Sequence, residues 1–506
     1  MSTDQLWSSY GIPMAKLLWK AQNVELEGIG SLMVVDGCLV EESDLGQNFF
    51  VTPASVGQSR AKVVSELLLE LNAEVEGSHV QRDPAEIIEN SPEFFQHFSL
   101  VIATQITGPS LYKLADICWA ANIPLVIVRA HGLMGYSRII VREHTVVESH
   151  PEQIVDLRFD SPFAALREFA ESFNLDELDS MAHSHVPYIV ILLKAVDSWK
   201  RKHDGKLPSS TADREQFKQS IRDQQRSDMP GNQNFNEALA SAYRAWTPTT
   251  IPSSIRSILN NTCAQNITSE TPDFWIIARA VCDFVQNEGQ GFLPLPGTVP
   301  DMHADTESYI RLQTIYRAKA REDAAAVSER VANLLASIGS SPSRIPVQEI
   351  EMFCKNAGYL HVIRYRSLTE EYATETARSK TIGNSLAGDP QDNIAWYVML
   401  RAVEVCKTQF QRYPGESESH YVSDQQTVRK CVDAFMQEHG LDPALIADDY
   451  VQECVRAAGS EIHVIAAILG GIVSQEVIKL LTHQYVPLNN TVIFDGIKSA
   501  ASVYEL

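Results

Sequence analysis

The sequence predicts an α/β fold in which a sheet domain is interrupted by a large, mostly helical insertion. Three observations carry this reading. Within a first part, 1–150, whose first 23 or so residues are atypical, short β-branched runs alternate with amphipathic stretches from residue 24 on. Helical spacing dominates 151–455, and an α/β pattern returns over 456–506. Strands alternating with helices imply a parallel sheet with helices on its faces. At 506 residues the chain exceeds the usual size of one domain, so two or three are expected.

Taken in order, "SLMVVDG" (31–37), "LVIATQ" (100–105), "PLVIVRAHG" (124–132) and "YSRIIVRE" (136–143) read as strands. Each is rich in Val and Ile and bounded by Gly, Pro or polar residues. The last follows its neighbour after a short Gly-bounded turn, so it is expected to pair antiparallel. "SRAKVVSELLLELNA" (59–73) and "PSLYKLADICWAAN" (109–122) carry apolar residues at helical spacing. In the insertion, "TPDFWIIARAVCDFVQNEG" (271–289) has Thr271 as a capping residue, Pro272 at its first position and Gly289 at its end. The polar stretch from Lys200 to about Asn236 has few large apolar residues and is expected to be partly mobile. "EIHVIAAILGGIVSQEVIKLL" (461–481) is apolar on nearly every side and should be buried. Its Gly470 and Gly471 each cost roughly 1 kcal/mol relative to Ala, a cost that tight packing on a sheet would offset. "TVIFDG" (491–496) then returns one strand to the first domain.

Composition removes several function classes. Lys plus Arg total 42 against 64 Asp plus Glu, a formal −22, which argues against nucleic-acid binding. No stretch reaches 18 uncharged apolar residues, and "MSTDQLWSSYGIPMAKLLWK" has no sustained apolar core of a secretory signal. The eight cysteines show no CxxC spacing, which points to a reduced intracellular protein with neither a zinc site nor a disulfide framework. His183 and His185 form an HxH, but it stands directly before the apolar run "VPYIVILLKAVDSW", so it reads as the start of a helix rather than a metal site. A thioester nucleophile needs an exposed, stabilised thiolate. Cys118, Cys282, Cys406 and Cys431 lie in apolar helical patterns and read as core; only Cys263, in "NNTCAQNIT", is loop-like.

An ordered set of segments carries a resemblance. "GIGSLMVVDG", "LGQNFF", "VGQSRA", "HGLMGYSRII", "IPSSI", "GQGFLP", "RYPG" and "GGIVSQEVIK" resemble, in order, the regulatory subunits of the family that activates ubiquitin-like modifiers, in its neddylation branch. The similarity runs from about Asn23 to Leu506. It implies a Rossmann-like pseudo-adenylation domain, interrupted by an insertion that resembles the catalytic-cysteine domain but has no catalytic Cys. It also implies a heterodimer with the catalytic subunit of the neddylation-activating enzyme, acting on a ubiquitin-like modifier in cytoplasm and nucleus. ATP and Mg are then expected on the partner, with no cofactor on this chain. Nothing in the resemblance implies nucleic acid or membrane. The competing reading is a self-sufficient adenylating or dinucleotide-binding enzyme, which the α/β pattern alone supports.

Working adenylation domains of this superfamily read approximately D-x-D, S-N-L-N-R-Q-F and G-K-x-K-A. Asp36 matches the first Asp, but the second falls on Cys38. The Asn-x-Asn-Arg set becomes Asp44, Gly46 and Gln47, and Gln58 replaces the first Lys. Asp36, Gln47 and Arg60 are thus remnants of a site, with Arg60 the sole cation of the group and Asp44 an added anion. Phosphate binding needs fixed positive charge or a cradle of N–H groups. No GxGxxG loop supplies the cradle, and neither the family's "YDRQ"-like segment nor its first strand is recognisable before residue 31. Such a start is what an alternative exon or an incomplete gene model would give. The family's Arg from that segment, which reaches the partner's ATP site, has no counterpart in this reading.

"TESYIRLQTIYRAKAREDAAAVSERVANLLASIG" (306–339) reads as one helix of about thirty residues, or about 45 Å at 1.5 Å per residue. Its stripe runs through Tyr309, Leu312, Tyr316, Ala320, Ala324, Val327, Val331 and Leu334. The second half reads as core. In the first half two tyrosines and a leucine stand among Arg311, Arg317 and Lys319, a composition favoured at interfaces. The resemblance implies that this stretch contacts the catalytic subunit, so Tyr309, Leu312 and Tyr316 are expected to face the partner.

Overall fold

The computed structural model describes residues 17–20, 30–46, 48, 50–72, 74–150, 156–226 and 232–506. Two compact units result: residues 1–144 with 362–506, and residues 145–361. Strands are β1 Leu17–Lys20, β2 Ser31–Val35, β3 Glu76–Val80, β4 Leu100–Thr104, β5 Leu125–His131, β6 Met134–Ile140, β7 His144–Val146, β8 His361–Ile363, β9 Thr491–Asp495 and β10 Ala500–Tyr504. Six helices matter most: α1 Arg60–Leu71, α2 Pro109–Ala121, α3 Thr306–Ser337, α4 Ile394–Phe410, α5 Tyr421–Glu438 and α6 His463–Thr482.

The first unit is built on one eight-stranded sheet in the order β10-β9-β6-β5-β4-β1-β2-β3. β2 pairs parallel with β3 and β4 with β5, whereas β6 runs antiparallel to β5 and joins β9. The period-2 alternation of the strands sorts their side chains between two cores. Leu100, Ile102, Val126 and Val128 meet α1 and α6 on one face. Val101, Ala103, Leu125 and Ile127 meet α2, α4 and α5 on the other. "TVIFDG" therefore lies in the same sheet as "SLMVVDG", as expected.

Three expectations change. The insertion is shorter than 151–455, because residues 362–455 belong to the sheet unit. Trp396, Val398, Met399, Val403, Val428 and Val432 fill the core under the sheet. Helical periodicity alone cannot distinguish such a sheet-covering layer from an inserted domain. A first strand also exists: β1 lies between β2 and β4, antiparallel to both. That central slot exposes two rows of backbone donors and acceptors, which an extended segment of either direction can satisfy. Finally, the glycine pair of α6 does not fit the helix to the sheet. No described atom lies within 4 Å of where a Cβ would stand at Gly470 or Gly471. Close approach comes instead from Gly135 of β6, where a Cβ would sit 2.8 Å from Leu469 Cδ2. By length and hydropathy α6 is apolar enough to cross a membrane. Ile465, Leu469, Val473 and Val477 place one side of it in the core on the sheet.

The second unit is mostly helical. The polar stretch expected to be partly mobile contains a helix, Thr211–Arg222, with Phe217 and Ile221 buried four residues apart and a capping box from Ser210 and Asp213. α3 is 32 residues long, about 48 Å by its rise, and starts behind Asp305, whose carboxylate accepts the Ser308 N–H at 2.8 Å. Its stripe is buried at Leu312, Tyr316, Ala324, Val327 and Val331, with Leu335 rather than Leu334 buried at the end. Leu312 and Tyr316 are both 0 % exposed, and Tyr309 is half-buried against the same cluster. The Tyr316 hydroxyl donates to the Leu157 carbonyl at 2.7 Å, and its ring meets Phe163 edge-on. Arg311 stacks over Phe169, and Lys319 pairs with Glu322 and Asp323, so these cations do not ring an exposed aromatic patch. The expectation that Tyr309, Leu312 and Tyr316 face a partner is thus corrected. Tyr at a helix surface and Tyr bonded inside a core share one sequence pattern.

Truncating a fully buried aromatic leaves a cavity. Tyr316→Ala is expected to lower the stability of the isolated chain by about 3–5 kcal/mol in denaturant unfolding. Tyr316→Phe, which only strands the Leu157 carbonyl, should cost roughly 1–3 kcal/mol. An unchanged melt for the Ala variant would return the residue to the surface.

Candidate functional site

In parallel α/β sheets ligands bind outside the carboxyl ends of the strands, at helix N-termini. Two places at that edge of this sheet have the elements of an anion site. Each is filled by the chain's own carboxylates.

The first lies between β2 and α1. Asp36 follows the last residue of β2, is 4 % exposed, and ties its N–H to Val80 O at 3.1 Å. One carboxylate oxygen accepts the Cys38 N–H at 2.9 Å. The other accepts from Arg60 Nε at 2.8 Å. Arg60 opens α1 behind Ser59, whose hydroxyl accepts the Lys62 N–H. Its Nη1 donates to Asp44 at 3.1 Å, and Asp44 also accepts the Glu41 N–H at 2.8 Å. The turn is held shut by backbone pairing of Val40 with Gln58 and Gly57. Gly37 is required there, since a Cβ would come 2.8 Å from the Asp83 nitrogen.

Arg60 therefore spends its charge internally. Burial works against the guanidinium's charge, but the hydrogen bond to Asp36 and the charges of Asp36 and Asp44 outweigh it and raise its pKa. One cation facing two carboxylates leaves the cluster with net −1. At about 4 Å and an effective dielectric near 20, each like-charge contact with an incoming phosphate is worth roughly 4 kcal/mol of repulsion. The repulsions outnumber the single attraction, so the residues present do not fit ATP. The sequence reading placed Asp36 and Arg60 correctly as neighbours; Gln47 lies outside the described residues.

The second place is the N-terminus of α2, and the sequence reading missed it. Glu404, from α4, accepts the Gly108 N–H at 2.8 Å and Arg129 Nη1 at 3.0 Å. Arg129 is 6 % exposed and Glu404 4 %. Burial favours the neutral acid, but Arg129, the Gly108 N–H and Arg401 prevail and hold the Glu404 carboxyl below its usual range. The helix end that could receive a ligand anion thus receives an internal one. A charged residue inside "IAWYVMLRAVEVC" and another inside "PLVIVRAHG" were the available signal, since a charge in an apolar run demands a partner.

The remaining candidates fall elsewhere. His183 is buried and stacks on Phe235 with ring centres 5.0 Å apart, while His185 Nδ1 bonds the Met181 carbonyl at 2.8 Å. Among the described residues no three metal-ligating side chains gather. Cys263 sits in a short helix, Thr262–Gln265, with its N–H on Asn261 Oδ1. Cys118, Cys282 and Cys406 are buried as expected, whereas Cys431 is half-buried against the core that holds Cys118 and Cys406.

Residues 18–506 match the model of the ThiF family. The NEDD8-activating enzyme E1 regulatory subunit of Gallus gallus is 42% identical over 490 residues, covering 96% of this chain and 91% of that protein. Its counterpart in Xenopus laevis is also 42% identical, covering 96% and 92%. The Arabidopsis thaliana regulatory subunit AXL is 40% identical, covering 94% and 90%. Among solved structures, E. coli MccB is 18% identical over 25% of this chain and 38% of its own, with a TM-score of 0.20, too low to bear on the fold. The chain belongs to the ThiF family, within the group of regulatory subunits of NEDD8-activating E1 enzymes.

Proposed function

We propose that this chain is the non-catalytic half of a heterodimeric E1, whose catalytic subunit binds ATP and Mg, adenylates the C-terminus of NEDD8 and carries it as a thioester. The observation that carries the reading is the Asp36–Arg60–Asp44 cluster, in which the one cation of the nucleotide position is already neutralised. A site with a net negative charge and no Gly-rich loop gives no support to a self-sufficient adenylating or dinucleotide-binding enzyme. The chain's contribution is then structural: it completes the complex in cytoplasm and nucleus while the partner does the chemistry.

The face offered to the catalytic subunit is the outer side of α6. That helix is 20 residues long with a mean hydropathy of 1.8 in its most apolar window, yet only one side is covered. Val464 is 50 % exposed, and two turns further on Gly471–Ile472 is half-buried, with open space over Gly470 and Gly471. Glycines are unfavourable in a helix interior unless something approaches closely. Nothing among the described residues does, which fits a backbone-close contact supplied by another subunit.

Two experiments test this. Calorimetric titration of the purified chain with ATP and Mg should show no saturable binding, and neither it nor a Gln47→Arg variant should exchange pyrophosphate, because catalytic groups act as a unit. Saturable ATP binding with exchange by the chain alone would overturn the non-catalytic reading. Gly471→Arg should leave the isolated chain's melt unchanged or slightly raised, since the new side chain meets open space. The same variant should abolish co-elution with the catalytic subunit. Normal assembly would remove α6 from the interface, and a collapsed melt would show that the chain covers this face itself.

A further inference from the structure

We propose that Cys406 and Cys431 form an oxidisable dithiol that closes to an intrachain disulfide with hydrogen peroxide. The two Sγ atoms stand 3.4 Å apart, in hydrogen-bond contact across the α4–α5 pair. A disulfide has an S–S distance of about 2.05 Å, so side-chain rotation has little distance left to cover.

The surrounding structure keeps the thiols together. Residues 411–420 join the two helices, and Arg412 grips Asp424 through two bonds of 2.7 and 2.8 Å. The Gly415 N–H adds a third bond to Asp424 at 2.8 Å. Gly415 has φ +92, and a Cβ there would run into the Val455 carbonyl at 1.9 Å, so only glycine fits this turn. Val403, Val428, Val432 and Met436 pack the helices against each other in the core.

The thiols are unequal in the way a peroxide reaction needs. Cys431 is half-buried at the edge of the core, and the hydrogen bond from Cys406 lowers its pKa to about 7, against the effect of burial. Cys406 is fully buried and its thiol is pushed up, first by that same hydrogen bond and then by burial. Among the other thiols, burial raises Cys118 and Cys354 each to about 12. Thiolate character and access select the attacking sulfur. The Cys431 thiolate attacks one peroxide oxygen, the O–O bond breaks, and Cys431 sulfenic acid and hydroxide form. The Cys406 sulfur then attacks the Cys431 sulfur and the S–O bond breaks; the Cys406 proton leaves with the departing oxygen as water. Two thiols lose two electrons, and one peroxide becomes two waters.

Peptide mapping by mass spectrometry, after the full chain is treated with hydrogen peroxide and capped with iodoacetamide, tests the proposal. The expected product is a peptide pair linked through Cys406 and Cys431, lighter by two hydrogens than the reduced pair and restored by dithiothreitol. In Cys406→Ser, Cys431 should stop at a sulfenic acid that dimedone traps. The proposal is overturned if both cysteines are recovered as alkylated thiols once the exposed Cys38 is oxidised, or if either links elsewhere. The wild-type map decides the matter even where a variant folds poorly.

Discussion

The first unit depends on the buried contact between Glu404 and Arg129. A carboxylate and a guanidinium taken out of water are costly unless each finds the other and fills its remaining hydrogen bonds. Glu404 meets that condition by accepting from Arg129 on β5 and from the Gly108 N–H at the start of α2, whereas Arg129 Nε and Nη2 are buried without a hydrogen-bond partner among the described residues. Residues 275 positions apart are thereby fixed in one place, and the helical layer of α4 is locked to the sheet. A second buried pair, Arg138 with Glu371, repeats the device on β6, and the Tyr397 hydroxyl from α4 donates to Glu371 at 2.8 Å.

The same contact occupies the anion-attracting end of α2. The α2 N-terminus attracts negative charge through its free N–H groups and dipole, and Glu404 supplies that charge permanently. Asp36 and Asp44 do likewise for Arg60. At the carboxyl edge of the sheet, where parallel α/β sheets bind ligands, this chain is stabilised by internal ion pairs.

Much of this was readable in the residues. Val- and Ile-rich runs bounded by Gly, Pro or polar residues located β2, β4, β5 and β6 to within a few residues, because a strand buried on both faces leaves little freedom of composition. Asp36 at a strand end and Arg60 at a helix start were recognisable as neighbours through the resemblance to the family's motif pattern, although 24 positions separate them. Long-range pairing was not readable: nothing local says that Glu404 belongs with Arg129 rather than with solvent. The same limit moved the insertion boundary to 145–361, since Trp396 and Val403 show helical spacing whether they cover a sheet or form a separate bundle. It also misplaced Tyr316, whose polar tip suggested an interface and instead bonds Leu157 inside the core. Gly470 and Gly471 were read as packing devices, while the device is Gly135 on the strand opposite.

The central claim is that Glu404 is a structural anion that both fastens the helical layer and fills the α2 N-terminus. Urea unfolding of Glu404→Ala against the parent chain, at one pH and ionic strength, tests it most directly. Removing one member of a buried ion pair should lower stability by about 3–5 kcal/mol, with the cooperative transition retained. A loss below about 1 kcal/mol, the range of a solvent-exposed pair, would contradict the account.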